Sequence, residues 1–158
     1  MNENNNLIDI HENPLDLFTK WFEEANSKEI NDPNAMNLST VNDDLQPSSR
    51  MVLLKSYNKE GFIFYTNLNS KKGTSIKKNN KVALNFHWKS LRKQIRIQGC
   101  AEKINNEDAD KYFKSRPADS KIGAWASNQS SELTDRKDFE KEIVKYKNKF
   151  GDIDIPRP

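Results

Sequence analysis

Apolar residues recur along this chain with two different periods, and the changes of period divide it into three stretches. In the first, Leu15, Phe18, Phe22 and Ala25, joined by Leu17 and Trp21, fall at helical spacing. Asn13-Pro14 stands just ahead of them, a capping side chain followed by a proline at the first helical position. The pattern predicts one packed helix of at most about two dozen residues. From Ala35 to Ile104 the period is two. "AMNLSTV" sets Met36, Leu38 and Thr40 against Asn37 and Ser39, and after the turn-rich "NDDLQPSS" a strand is expected from Met51 to Tyr57. "NKEG" reads as a hairpin turn leading into "FIFYTN" as the partner strand. "KVALNFHW" places Val82, Leu84, Phe86 and Trp88 on one face, with Ala83, Asn85 and His87 on the other. "LRKQIRIQGCAEKI" alternates Ile95, Ile97 and Ala101 with Gln94, Arg96 and Gln98.

Helical spacing then returns. Asn105 or Asn106 caps "EDADKYFKSR", which Pro117 stops. "DSKIGAWAS" reads as a short turn of helix. "TDRKDFEKEIVKYKNKFG" reads as a longer helix, with Thr134 as N-cap, Phe139, Ile143, Tyr146 and Phe150 inward, and Gly151 at its end. The closing "DIDIPRP" is extended. Strands joined by hairpin-length connections predict an antiparallel sheet curled into a barrel or half barrel. The fold class is mainly β with flanking helices, in a single domain over 1–158 whose first dozen residues are expected to be disordered.

Composition sharpens this picture. Of 158 residues, 34% are hydrophobic and 31% charged, with a mean hydropathy of −0.96. No apolar run approaches the roughly 20 residues that cross a bilayer, and "MNENNNLIDI" lacks the pattern of a signal peptide. Cys100 is the only cysteine, which fits a reducing cytoplasm. A net charge of +3 permits an anionic ligand without demanding nucleic acid.

Three groups of residues carry candidate chemistry. "SSRMVLLK" brackets four apolar residues with Arg50 and Lys55, which point to opposite faces of a regular strand. "FYTNLNSKKG" gathers Thr66, Asn67, Asn69, Ser70 and the pair Lys71-Lys72 where a short helix, "TSIKKN", is expected to begin. Hydroxyls, two ammonium groups and helix N-terminal amides there would hold a phosphate. Neither GxGxxG nor a Walker motif is present, so a dinucleotide or nucleotide-triphosphate site is unsupported. Tyr112 and Arg116, four apart, are expected on one helix face, with Ser120 just beyond Pro117, as a second oxyanion pocket. His87, on a polar strand face, reads as structural; no catalytic side chain and no metal ligand is assigned.

The stretches "SSRMVLLK", "GFIFYTNLNSKKG", "RKQIRIQG" and "KYFKSRPADSKIGAWASNQSS" closely resemble the pyridoxine/pyridoxamine 5'-phosphate oxidase family over about Pro33 to Pro156. The resemblance implies an FMN-binding split β-barrel that forms a cytoplasmic homodimer with FMN at the interface. It implies oxidation of a B6 vitamer phosphate, pyridoxamine or pyridoxine 5'-phosphate, to pyridoxal 5'-phosphate, with O2 reduced to H2O2. By the same resemblance, Arg50, Met51, Val52, Leu53, Leu54 and Lys55 would line the FMN site, followed by Tyr65 and Thr66. Lys71 and Lys72 would grip its phosphate, Gln94 would address its ring, and Gln129 with Ser130 would complete the site. Lys55, Tyr112, Arg116 and Ser120 would hold the substrate.

In that family the stretch like "DIPRP" leads into a Trp-Gly-Gly strand and an Arg-x-His element, whereas this sequence stops at Pro158. The expectation is a barrel incomplete at its C-terminus and an activity impaired by the shortening. Two other readings stand beside it. One is a non-catalytic flavin- or vitamer-binding protein of the same fold. The other is a small RNA-binding barrel, using "NSKKGTSIKKNNK" and "KSLRKQIR" for charge and Phe86 and Trp88 for stacking.

Overall fold

The structure, a computed structural model of the chain, describes residues 13–127, 136–151 and 154–158. Its elements run α1 (Pro14–Lys28), β1 (Ala35–Val41), β2 (Pro47–Leu53), β3 (Ser56–Asn58), β4 (Gly61–Ile63), α2 (Lys71–Lys78) and β5 (Lys81–Trp88). A 3-10 turn at Lys89–Leu91 leads to β6 (Lys93–Cys100), α3 (Asn106–Ser115), α4 (Ala118–Ala126) and α5 (Arg136–Phe150). Among the described residues the chain forms two compact units, one from 13–40, 46–65 and 81–99, the other from 41–45, 66–80 and 100–158.

The first unit holds the four-stranded sheet, in the order β2-β1-β5-β6, and the β3-β4 hairpin. β1 and β5 are antiparallel, with Leu38 opposite Leu84. The alternation read in the sequence is the alternation of burial. Met36, Leu38 and Thr40 are buried on β1, and Leu84, Phe86 and Trp88 on β5. Helix α1 closes over this face. Asn13 Oδ1 accepts the Leu15 N–H at 2.9 Å, and Pro14 occupies the first turn, so the helix starts where the sequence places it. Phe18, 2% exposed, sits with ring centroids 4.8 to 6.0 Å from those of Phe22, Tyr57, Phe62, Phe86 and Trp88. Full burial of such a ring contributes roughly 1.5–3 kcal/mol by area alone.

The expected strand from Met51 to Tyr57 is broken. β2 ends at Leu53, the Leu54 N–H donates to Asn34 O at 2.8 Å, and the Lys55 N–H donates to Ile63 O at 2.8 Å. The chain changes hydrogen-bonding partner across Leu54, which is itself buried, and so leaves the large sheet for the hairpin. A period of two cannot signal this, because both halves alternate. The partner strand is likewise shorter than "FIFYTN", ending at Ile63.

The second unit is helical. Asn105 caps α3 through Oδ1, which accepts the Asp108 N–H at 2.8 Å, and Pro117 ends it. Gly151, at φ +50, closes α5 in the left-handed conformation that glycine adopts without strain. The proposed N-cap Thr134 lies outside the described residues. Phe113, Ile122, Phe150 and Ile155 form the buried cluster of this unit, packed against Ala124, Trp125, Ile143 and Tyr146.

Candidate functional site

On β2 burial alternates, with Ser48, Arg50 and Val52 half-buried and Ser49, Met51 and Leu53 exposed. The inward face therefore carries a guanidinium. Arg50 Nη1 donates to Leu38 O at 3.0 Å and to Thr40 Oγ1 at 2.9 Å, and Nη2 donates to Ser48 Oγ. Every one of these acceptors is neutral, and among the described residues no carboxylate pairs with Arg50. Burial pulls its pKa below the ordinary value, yet a guanidinium stays charged at neutral pH. Of its five N–H groups, one on Nε and one on Nη2 remain beyond these three bonds. The result is a fixed, partly desolvated positive charge. Thr40, 1% exposed, is the residue the sequence reading missed as its anchor; its hydroxyl on an otherwise apolar strand face was the available signal.

Lys55 is exposed, just past the break in the strand, so the opposite-face argument for Arg50 and Lys55 does not apply to this backbone. Gln94 is exposed on β6, and its Nε2 donates to Asn85 Oδ1 at 2.9 Å. With His87, Lys89, Arg92 and Lys93 it lines an open hollow of about 710 Å³. His87 is exposed, on the face opposite Phe86 and Trp88.

In the second unit the lysine pair lies one step deeper than expected. Helix α2 begins at Lys71 rather than after Gly73, because Ser70 is its N-cap. Ser70 Oγ accepts the Gly73 N–H at 3.2 Å and donates to Asn67 O at 2.7 Å. Lys72 Nζ donates to Thr66 Oγ1 at 3.1 Å and Ser70 Oγ at 3.4 Å, which gathers an ammonium and two hydroxyls at a helix N-terminus. The close chain approach requires glycine at 73. A Cβ there would stand 2.8 Å from Asn67 O and closer still to Leu68 O. Lys71 is exposed, and Tyr65 is half-buried.

The third group is arranged differently from the sequence reading. Tyr112 lies in α3, but Arg116 is the residue that caps it, extended at φ −74 and ψ 148. Four-residue spacing therefore does not place the two on one helix face. The Arg116 guanidinium instead lies over the Phe113 ring, 5.6 Å from its centroid. Ser120 follows in the first turn of α4, beyond the corner at Pro117. Gln129 and Ser130 lie outside the described residues.

One reading loses support here. The stacking surface proposed for RNA does not exist, since Phe86 is 0% and Trp88 2% exposed.

A family profile described as pyridoxamine 5'-phosphate oxidase matches residues 22–150. A pyridoxine/pyridoxamine 5'-phosphate oxidase of Bartonella henselae is 54% identical over 145 residues, covering 92% of this chain and 70% of that protein. One from Pelagibacter ubique is 51% identical over 146 residues, again covering 92% of this chain and 70% of its own length. Among solved structures, PhzG from Burkholderia lata 383, crystallised with tetrahydrophenazine-1-carboxylic acid, superposes with a TM-score of 0.87. It is 27% identical, and the match covers 95% of this chain and 73% of that one. A pyridoxamine 5'-phosphate oxidase-related, FMN binding protein from Nostoc punctiforme PCC 73102 shares the fold at a TM-score of 0.63. It is 14% identical, over 82% of this chain and 72% of that one. The split-barrel class expected from the sequence stands.

Proposed function

Because this chain belongs to the pyridoxine/pyridoxamine 5'-phosphate oxidase family, a family of oxidoreductases, we propose that it binds FMN and oxidises a B6 vitamer phosphate. The substrate is pyridoxamine or pyridoxine 5'-phosphate, the product pyridoxal 5'-phosphate, and O2 leaves as H2O2; the amine also takes up water and releases ammonia. Bound FMN supplies the two-electron acceptor. What the chain supplies is position.

The observation that carries this reading is Arg50, a half-buried cation whose hydrogen-bond partners are all neutral. A desolvated charge held this way is stabilised by an anionic ligand, and its two remaining N–H groups suit a phosphate or a polarised ring carbonyl. Met51, Val52, Leu53, Leu54, Lys55, Tyr65 and Thr66 continue the cofactor site. Lys71 and Lys72 take the FMN phosphate, with Ser70 fixing the turn that presents them. Gln94, oriented by Asn85, addresses the flavin ring, and Gln129 and Ser130 complete the site. Tyr112, Arg116 and Ser120 clamp the vitamer phosphate, and Lys55 also reaches the substrate. Fixing two rings face to face by their phosphates is catalysis by positioning. The same reading takes the protein as a homodimer. Met51 and Leu53, 60% and 40% exposed on edge strand β2, supply apolar surface of the kind that association covers.

Flavin fluorescence quenching measures FMN binding, and peroxide release with pyridoxamine 5'-phosphate measures turnover. Lys72→Ala should weaken FMN binding by roughly tenfold or more, the scale of one charge-assisted hydrogen bond. Protein comprising residues 1–158 that quenches no flavin fluorescence would end the reading. Binding without peroxide would favour the non-catalytic relative.

A further inference from the structure

Residues 154–158 form neither helix nor strand, yet they are anchored at four successive positions. Asp154 Oδ1 lies 3.9 Å from Lys121 Nζ on α4. Ile155, 6% exposed, belongs to the cluster that joins Phe113 of α3, Ile122 of α4 and Phe150 of α5. Pro156 O accepts the Trp125 Nε1–H from the last turn of α4 at 2.8 Å. Arg157 Nε donates to Asp110 Oδ1 at 2.6 Å and Nη2 to Asn106 Oδ1 at 3.3 Å, so one guanidinium bridges about one turn of α3. Pro156 and Pro158 restrict the backbone on either side of Arg157, which lowers the entropy lost on ordering it.

Apart from Phe150 of α5, these anchors fall on the two helices that meet at Pro117. α3 carries Tyr112 and ends at Arg116; α4 carries Ser120 in its first turn. We infer that segment 154–158 is a clasp that sets the geometry of the α3–α4 corner, with Arg157 and Trp125 as positioning residues for the vitamer-phosphate clamp Tyr112, Arg116 and Ser120. This rests on the assignment of that clamp above.

The physical case is a difference in sensitivity. The Arg157–Asp110 pair is partly exposed, so it contributes little to global stability. The clamp has no such tolerance, because its residues sit on different elements and converge only if those elements keep their angle. A displacement of about 1 Å can cost roughly a hundredfold in rate. Loss of Arg157 should therefore register in vitamer binding well before it registers in folding. Among the described residues, Arg157 also shares no side-chain hydrogen bond with those assigned to FMN.

The test uses the full chain loaded with FMN and titrated with 4-deoxypyridoxine 5'-phosphate, which keeps the ring and phosphate but offers no oxidisable group at C4'. Arg157→Ala and Asp110→Asn should each weaken this ligand by roughly tenfold, and the double variant by no more than either alone, as coupled partners do. Arg157→Lys should recover part of the loss, FMN affinity should stay unchanged, and the unfolding midpoint should move little. Equal weakening of FMN and vitamer, or a lowered midpoint with unchanged vitamer affinity, would make the segment merely structural and overturn the clasp. Arg116→Ala separates the two levels. If it weakens the ligand while Arg157→Ala does not, the clasp alone fails. If Arg116→Ala is silent, the clamp assignment fails and the clasp falls with it.

Discussion

Gly73→Ala sets two well-understood effects against each other at one atom. By helix propensity alone, replacing a helical glycine with alanine stabilises by about 1 kcal/mol. At position 73 the new Cβ would meet Asn67 O and Leu68 C, each at 2.8 Å, and Leu68 O more closely still. Reaching an ordinary contact of about 3.5 Å requires a retreat of roughly 0.7 Å from these two atoms and a larger one from Leu68 O. The obstructing atoms are backbone, so no side chain can swing away. They are also in use: Asn67 O accepts the Ser70 N–H at 3.1 Å and the Ser70 hydroxyl at 2.7 Å. Overpacking of this kind costs about 1–3 kcal/mol, and disturbing the two bonds pushes toward the upper end. The net expectation is destabilisation by about 1–2 kcal/mol. Gly123→Ala is the internal control. It lies in α4 with nothing within 4 Å of its Cβ position and should stabilise by up to about 1 kcal/mol. Urea denaturation monitored by tryptophan fluorescence gives both shifts as midpoint changes at constant slope. The refuting result is a Gly73→Ala midpoint that rises as the Gly123→Ala midpoint does.

Two further outcomes follow from the fold. Phe18→Ala removes the ring at the centre of five aromatic contacts and should cost about 3–5 kcal/mol; a loss below about 1.5 kcal/mol in the same assay would mean that the surrounding rings close the gap. Glu24 accepts hydrogen bonds from Lys28 and, secondly, Lys93, and these hold its carboxyl well below the usual range, at about 2 rather than 4.5. A depressed carboxyl pKa contributes stability that is present above pH 4.5 and lost as pH falls toward 2. Glu24→Gln should flatten the acid-unfolding curve in that window, and superimposable curves would show that the network adds nothing.

Much of this protein was legible in its sequence because the deciding physics is local. Asn13-Pro14, Asn105 and Gly151 mark helix ends through caps and backbone preferences that act within one turn. Periods of 3.6 and two separate helices from strands and assign their buried faces, since a side chain's direction follows from the backbone type alone. Short connections between strands point to an antiparallel sheet, and the retained "RMVLLK" and "SRPADSKIGAW" stretches point to the family. Other features depended on what the chain meets at a distance. The break at Leu54 exists because Asn34 and Ile63 offer hydrogen bonds on its two sides. Arg50 faces Leu38 and Thr40 rather than a carboxylate because β1 lies beside β2. Arg116 leaves the helix at a corner whose packing no four-residue spacing encodes. Ile155, Pro156 and Arg157 read as a loose extended tail, yet a buried cluster and Asp110, 47 residues earlier, give that tail its place. Alternation and capping describe one segment's preferences. Partner choice between segments is a contest among contacts far apart in the chain, and only the tertiary structure decides it.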